Sequence, residues 1–394
     1  LPSHDTAPPQ RPGDQHAARA GARPFYGWII LSGLCLSQIV SWGILYFGFG
    51  VLLLPMQREL GWSSAQLAGG FSAGLFASAI AAMPLGRYID RHGARGVMTT
   101  GSCAAGVLLI AWSRVHSLWA FYVIWIGLGL AMAAVLYESA FAVVVAWFER
   151  RRAEALAVLT SIGGLASTVF VPATAWLEAH SSWRTTLVVL AGILVVTSVP
   201  VHALIVRSRP SDLGLLPDGE SHDDPQRDVV RVDVIQPAKG VDWILAAIFA
   251  LSTLSASAVA VHVMPFLLAR GHATTFAAGV MAIIGVAQVP GRLAFAALAR
   301  WVSPQWFASS VFVLQAAGLG CLWLSGIDAT WAIAFAVLFG AGNGLTTLVR
   351  STLVAEWFGT VRFATISGKI ALAGQLSRAA GPVVAAWLAT RAGG

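Results

Sequence analysis

The sequence predicts an all-α membrane protein, a bundle of spanning helices, and three observations carry that reading. Hydrophobic residues fill 57% of the 394 positions and charged residues 11%, with a mean hydropathy of +0.73, far from the balance of a water-soluble domain. Apolar runs of about 20 residues, the length a helix needs to cross the hydrocarbon core, recur from Trp28 almost to the end of the chain. These runs lack the polar face of a soluble helix, and barrel strands would be half as long and would alternate.

The elements follow in order. Residues 1–24 are rich in Pro, Ala, Arg and Gln without an apolar run, and read as a disordered cytoplasmic tail rather than a signal peptide. Helices are expected over residues 25–55, 64–88, 96–115, 117–148, 152–178 and 182–206. The second and third are separated by LGRYIDRHGARG (85–96), and the fourth and fifth by Arg150-Arg151-Arg152. Residues 208–240 are charged and turn-rich and form a soluble linker. Five more helices are expected over 241–269, 273–300, 303–325, 329–358 and 361–391, giving an N-terminal half (25–207) and a C-terminal half (241–394). Eleven spans ending at Arg391-Ala-Gly-Gly read as a twelve-span protein whose last helix is absent from this sequence.

Charge sets the expected orientation. With the N-terminus inside, 16 of the 25 Lys and Arg fall on the cytoplasmic side and five on the other, as the positive-inside rule requires. The net charge of +7 is therefore an orientation signal and not a nucleic-acid footprint. The remaining four, Arg292, Arg350, Lys369 and Arg378, lie within helices, where Glu138 is the single acid well inside a span. An intramembrane charge costs about 2.5–3.5 kcal/mol on insertion scales, so such groups face a wet cavity or a partner. Cys35, Cys103 and Cys321 sit in apolar runs without metal-ligand spacing, and no cofactor is expected.

The halves echo each other. Trp147-Phe148 closes the fourth helix and Trp357-Phe358 the tenth; Pro172 and Pro382 each follow 25 residues after their Trp, then AWL recurs at 175 and 386. Three coincidences in register indicate an internal repeat of about six helices, the construction of many transporters, with the substrate at the interface between repeats.

The loop Gly86-xxx-Asp90-Arg91-x-Gly93-x-Arg95 reads plainly as a charged turn, and it also resembles the signature loop of the major facilitator superfamily. The resemblance covers the whole chain and implies that superfamily's fold. It also implies that Gly86, Asp90, Arg91 and Arg95 form a gate, latching the second helix to the eleventh in the outward-facing state. Phe25-Tyr26-Gly27-Trp28 and Trp147-Phe148-Glu149-Arg150-Arg151-Arg152-Ala153, with SDLGLLPDG in the linker, are similar to motifs of the monocarboxylate and oxalate/formate branch, without the acidic residue usual at the first. That resemblance implies that Arg292 binds a substrate carboxylate. Gln288 stands where animal members carry a proton-coupling aspartate, and Tyr46 about where they carry a lysine.

Elementary chemistry points the same way. Four intramembrane cations against one anion leave room for an anionic substrate, and arginine grips a carboxylate with two parallel hydrogen bonds. Arg378 is central enough to contribute, whereas Arg350 and Lys369 lie nearer helix ends, where snorkelling or gating competes. Arg292 has an alternative role as a structural partner of Glu138. Glu138 itself is either a static ion-pair member or a proton carrier, since low dielectric favours its neutral form and a nearby arginine its charged form. His262 is a second titratable candidate or a packing histidine. Asn343, within Gly340-x-Gly342-x-Gly344, is a candidate for the cavity wall, the glycines being close-packing surfaces.

The expected function is therefore secondary active transport of a small organic anion, a monocarboxylate, by alternating access with proton coupling. The functional unit is expected to be a monomer, in the plasma membrane of a bacterium whose GC-rich genome explains an arginine usage of 23 against two lysines. Proton-driven efflux of drugs or metabolites is the alternative within transport, but the GxxxGPxxGG pattern of such exporters is absent from Gly163 to Pro172. A non-transporting membrane sensor is the alternative outside it. An enzyme would need a constellation of catalytic groups that one glutamate and one histidine on separate helices do not supply.

Overall fold

The computed structural model describes residues 25–219, 238, 240–298, 301–326 and 328–391. The tail, the acidic stretch 220–237 and Arg300 lie outside the described residues. Eleven long helices follow one another: α1 Tyr26–Leu60, α2 Ser64–His92, α3 Ala94–Ser113, α4 Leu118–Trp147, α5 Arg152–His180, α6 Trp183–Ile205, α7 Val241–Ala269, α8 Thr274–Leu298, α9 Pro304–Leu324, α10 Ala329–Phe358 and α11 Phe363–Arg391. Among the described residues, ten helices are long and apolar enough to cross a membrane. Each reverses the chain, so the start of α1, the linker and the α2–α3, α4–α5, α8–α9 and α10–α11 turns share one end, the linker end. The other turns form the far end.

Several helices depart from the uniform rods expected. α1 widens into a π turn over Gly43–Phe47 and runs through Pro55 to Leu60, five residues beyond the expected end. A Cβ on Gly43 would collide with the Phe170 ring of α5, so the π turn marks a close approach. α4 is two helices, Leu118–Val135 and Tyr137–Trp147, broken at the extended residue Leu136. Two carbonyls freed by the break are answered locally. Gln38 Nε2 of α1 donates to Val135 O at 2.7 Å, and Ser139 Oγ donates to Ala133 O at 3.2 Å.

Each half packs through glycine and aromatic rings. α2 meets α4 where Gly74 faces Gly129, a contact in which neither position has room for a Cβ. Beside it, Phe49 stacks on Phe71 at 4.7 Å, and Trp125 stands edge-on to both at 5.1 and 5.2 Å, each pair contributing about 0.5–1.5 kcal/mol beyond its buried area. In the other half α8 lies on α10 through Gly291, Gly340 and Gly344.

The halves are joined mainly by α2 running antiparallel to α11. Ala82 and Gly86, one turn apart, interlock with Ala364 and Gly368: a Cβ on Gly86 would strike the Ala364 carbonyl, and one on Gly368 the Ala82 carbonyl. This contact lies at the linker end.

Helix starts at the two ends are capped differently. At the far end α2, α4, α6 and α10 carry their own caps: Ser63 in a capping box with Gln66, Ser117 on Ala120 N, Ser182 on Thr185 N and Asp328 on Thr330 N. At the linker end the starts of α3 and α11 and the α4–α5 turn take partners from other elements. Asp90 of α2 accepts from the backbone N–H groups of Ala364 and Thr365, each at 2.9 Å, at the start of α11. Ser208 accepts from Arg95 N at 3.2 Å, and Asp218 Oδ2 accepts from Glu149 N and Arg150 N at 2.9 and 2.6 Å. The first part of the linker is thus strapped to the N-terminal half. Replacing Asp218 by alanine removes both charge-assisted bonds, about 1.5–3 kcal/mol each. Amide exchange at Glu149 and Arg150 is expected to accelerate at least about tenfold, measured by hydrogen exchange with mass spectrometry; unchanged protection would show that the strap is held elsewhere.

Candidate functional site

Between the halves lies a cavity of about 250 Å3, lined by α1, α2, α4 and α7 together with α10 and α11. Its wall carries Glu138 and Tyr137 from α4, Arg350 and Thr347 from α10, and Gln375 and Arg378 from α11. The break in α4 is what brings Glu138 there: the second segment restarts at Tyr137, so Glu138 sits in its first turn, where the helix dipole favours an anion.

Glu138 and Arg350 form an ion pair that crosses from one half to the other, Arg350 Nη2 donating to Glu138 Oε1 at 2.5 Å. The pair is a single contact. Glu138 Oε2 and Arg350 Nε are both buried and have no hydrogen-bond partner among the described residues. Arg378 lines the same cavity and makes no hydrogen bond or ion pair among the described residues.

Arg292 is placed beside this cavity and not in its wall. Its guanidinium donates to Thr160 O of α5 at 3.0 Å, to Gly344 O of α10 at 3.3 Å and to Gln288 Oε1, one turn back on α8, at 3.4 Å. The alternative partnership of Arg292 with Glu138 is corrected here: Glu138 is held by Arg350. Tyr137, in the cavity wall, shares an acceptor with Arg292, its hydroxyl donating to Thr160 O at 3.4 Å. Gly164 opposite leaves the space, since a Cβ there would lie 2.8 Å from Arg292 Nη1.

The other candidates stand apart from the cavity lining. Tyr46 lies in the π turn of α1, ringed by Trp42, Phe47 and Phe71. Asn343 and His262 are half-buried and are not part of the wall. Lys369 pairs with Asp242 at the start of α7 and lies over the Trp243 ring at 5.0 Å. Among the described residues, the four-to-one excess of cations expected in the membrane therefore shrinks to two guanidinium groups without a carboxylate, Arg292 and Arg378.

At the linker end the four gate candidates divide. Gly86 and Asp90 form the contact with α11 described above, and the Thr365 hydroxyl also donates to Asp90. Arg95 ties the turn to α6 through Ala203 O, while Arg91 is exposed and makes no hydrogen bond among the described residues.

Two half-bundles thus share a cavity and are joined at the linker end by this contact, and comparison with known proteins gives the family. The profile of the Major Facilitator Superfamily matches residues 34–382. The chain belongs to the major facilitator superfamily. It is a multi-pass membrane transporter and not an enzyme. Among curated relatives it is similar to Monocarboxylate transporter 12 of Xenopus laevis, 23% identical over 93% of this chain and 84% of the relative. The protein of the same name from Rattus norvegicus is 25% identical over 93% of this chain and 80% of the relative. The structure of the human organic anion transporter MFSD10 (TETRAN) superposes with a TM-score of 0.62 at 17% identity, covering 92% of this chain and 93% of that one. FucP, in the outward conformation, superposes with a TM-score of 0.56 at 16% identity over 92% and 99%. The curated relatives are vertebrate proteins, and the bacterial source expected from arginine usage draws no support from them.

The sequence pointed to Glu138 and Arg378 but not to the pairing of Glu138 with Arg350, nor to Gln375 and Thr347. One signal was available. Glu138 stands nine residues before Trp147 and Arg350 seven before Trp357, so the repeat puts them at nearly equivalent depths on facing helices.

Proposed function

We propose that this transporter moves a small monocarboxylate together with a proton, by alternating access, across a plasma membrane with the linker end facing the cytoplasm. The observation that carries the reading is the cavity shared by both halves, with Arg378 unpaired in its wall and the Glu138–Arg350 pair beside it. A cavity with more guanidinium than carboxylate favours an anion. Its volume of about 250 Å3 falls below the roughly 300–1,000 Å3 of drug-sized pockets, which favours a short acid over drug efflux. The names of the curated relatives, monocarboxylate transporters, agree with that substrate class.

In this reading the linker end is closed by Gly86 and Asp90, and the carboxylate enters from the far end. Arg292 takes part as the halves move. Its bond to Thr160 O joins α8 to α5 across the two halves, so parting them at the linker end frees Nη1 for an anion. Substrate drives the switch only through such a difference in affinity between states. Gln288 fixes the Arg292 side chain and carries no proton; Glu138 does. The functional unit is one chain.

Purified protein in liposomes with an inward proton gradient is expected to accumulate labelled pyruvate, lactate or acetate above equilibrium, and a protonophore to abolish it. If none of a panel of small carboxylates accumulates, the reading fails.

A further inference from the structure

We infer that the linker end holds a second binding site, for a zwitterionic amino acid with an apolar side chain, built between the two halves around Arg152 and Glu356. The site shares no residue with the central cavity, and the inference does not depend on which substrate that cavity carries.

A cavity of about 190 Å3 lies there, several times the roughly 30 Å3 that one water occupies in the liquid. The N-terminal half contributes the α4–α5 turn and Arg152 of α5. The C-terminal half contributes Phe295 of α8, Phe307 of α9, and Thr352 and Glu356 of α10. Three of these groups have bonding capacity left over. Thr352 Oγ1 and Glu356 Oε2 are buried without a hydrogen-bond partner among the described residues. Arg152 donates through Nε to Phe148 O at 3.1 Å, which leaves its Nη1 and Nη2 edge unbonded among the described residues. Arg152 and Glu356 line one cavity and yet form no ion pair there. Buried polar atoms left without partners are costly, so a cavity that collects them from both walls is suited to a polar guest.

The frame is fixed from behind. Arg152 follows the Trp147-Phe148-Glu149-Arg150 stretch, whose turn Asp218 holds through the N–H groups of Glu149 and Arg150. Phe148 packs edge-on against Phe25 and Trp28, with ring centroids at 5.6 and 5.0 Å. On the opposite wall Phe295 stands perpendicular to Phe307 at 4.7 Å, both buried. Walls held by packing outside the cavity keep its polar groups in place for a ligand.

The lining selects the class of ligand. Arg150 and Arg152 against Glu149 and Glu356 sum to no net charge, so a lone anion or a lone cation would leave one sign uncompensated. The guanidinium edge takes a carboxylate through two parallel bonds, and a carboxylate beside a hydroxyl accepts from an ammonium. Phe295, Phe307 and Val302 supply the apolar remainder. A carboxylate, an ammonium and an apolar side chain on one small molecule describe an amino acid such as leucine. Held by Arg152 on one half and by Thr352 and Glu356 on the other, it binds best while the halves meet at the linker end, and it favours that form in return. It is an effector of transport and not its cargo.

The probe is L-leucine, added to the purified protein in detergent and read by calorimetry with and without pyruvate. Binding is expected in both cases, because the sites are separate. 4-Methylpentanoate, which lacks the ammonium, and leucinamide, which lacks the carboxylate, are expected to bind about tenfold or more weakly. E356Q and T352V are each expected to weaken leucine by about tenfold or more and to leave pyruvate binding unchanged. Thr347 lines the central cavity, and labelling of Thr347→Cys by an impermeant maleimide from the linker side reads the effect on opening. Leucine at ten times its dissociation constant is expected to slow that labelling about tenfold. Absence of leucine binding by the wild type overturns the inference, as does displacement of leucine by pyruvate, which would put it in the central cavity. Equal affinity for leucine and 4-methylpentanoate overturns it too, and unchanged labelling with leucine bound overturns the effector role. Should E356Q fail to fold, T352V decides, since valine keeps the side chain's shape: unchanged affinity for leucine overturns the site. A wild type that binds leucine but no small carboxylate ends the transport reading and leaves this inference standing.

Discussion

Uptake of labelled carboxylate by liposomes containing Arg292→Gln is expected to fall about 100-fold or more, equivalent to about 2.7 kcal/mol or greater. Arg292 sits where α5, α8 and α10 converge, with a guanidinium shared among Thr160 O, Gly344 O and Gln288. Glutamine keeps a donor for one of these and removes the charge. Hydrogen bonds from charged groups contribute about 1.5–3 kcal/mol each, so losing the bond to Thr160 O alone weakens the join between the halves, and losing the charge removes the anion's partner on the opening path. The fold should survive, because α8 also lies on α10 through Gly291 and Gly340, whose close neighbours do not include Arg292. The measurement is the initial uptake rate in variants matched for thermal unfolding temperature. A rate within about threefold of wild type, less than about 0.7 kcal/mol, would remove Arg292 from the transport cycle.

Gly86→Val is the second large effect, and it acts on the conformational equilibrium. A Cβ at this position meets the Ala364 carbonyl, so valine forces α2 away from α11 and carries Asp90 off the Ala364 and Thr365 N–H groups. Overpacking of this kind costs about 1–3 kcal/mol, and the lost charge-assisted bonds add to it. A shift of roughly 10- to 100-fold toward the form open at the linker end follows, since each 1.4 kcal/mol is about a factor of ten. Thr347, in the cavity wall, reports it. With Thr347→Cys in a background lacking Cys35, Cys103 and Cys321, labelling by an impermeant maleimide from the linker side is expected to accelerate about tenfold or more in Gly86→Val. Gly86→Ala should shift it less. Equal labelling with and without valine would show that the α2–α11 contact does not hold that end shut.

Much of this protein was legible without coordinates, for physical reasons that also mark where legibility ends. Helix number and span follow from the length of apolar runs, because the bilayer imposes that length on every spanning helix. The α2–α11 contact was implied by the resemblance of the 86–95 loop to the superfamily's signature loop, while its spacing alone read as a charged turn. Glu138 and Arg292 were visible as charges in apolar runs.

The partners were not. Which cation meets which anion depends on helix rotation and on breaks such as that at Leu136, and a single sequence carries little signal for either. Leu136 has neither the Gly nor the Pro that ordinarily marks an interruption. Its break is supported by Gln38, nearly a hundred positions away in the chain. For the same reason Lys369 read as an unbalanced charge, because Asp242 looked like the edge of a loop until α7 and α11 were seen side by side.

The uneven capping of the bundle has a thermal consequence. Far-end helices keep their caps whatever the halves do, but opening the linker end tears Asp90 from three donors at once. Bonds to an ionised acceptor are broken before water replaces them, so the penalty falls on the activation enthalpy of that step. Turnover should therefore steepen with temperature when opening at this end limits the cycle. Asp90→Ala should flatten an Arrhenius plot of uptake even where its rate at a single temperature changes little.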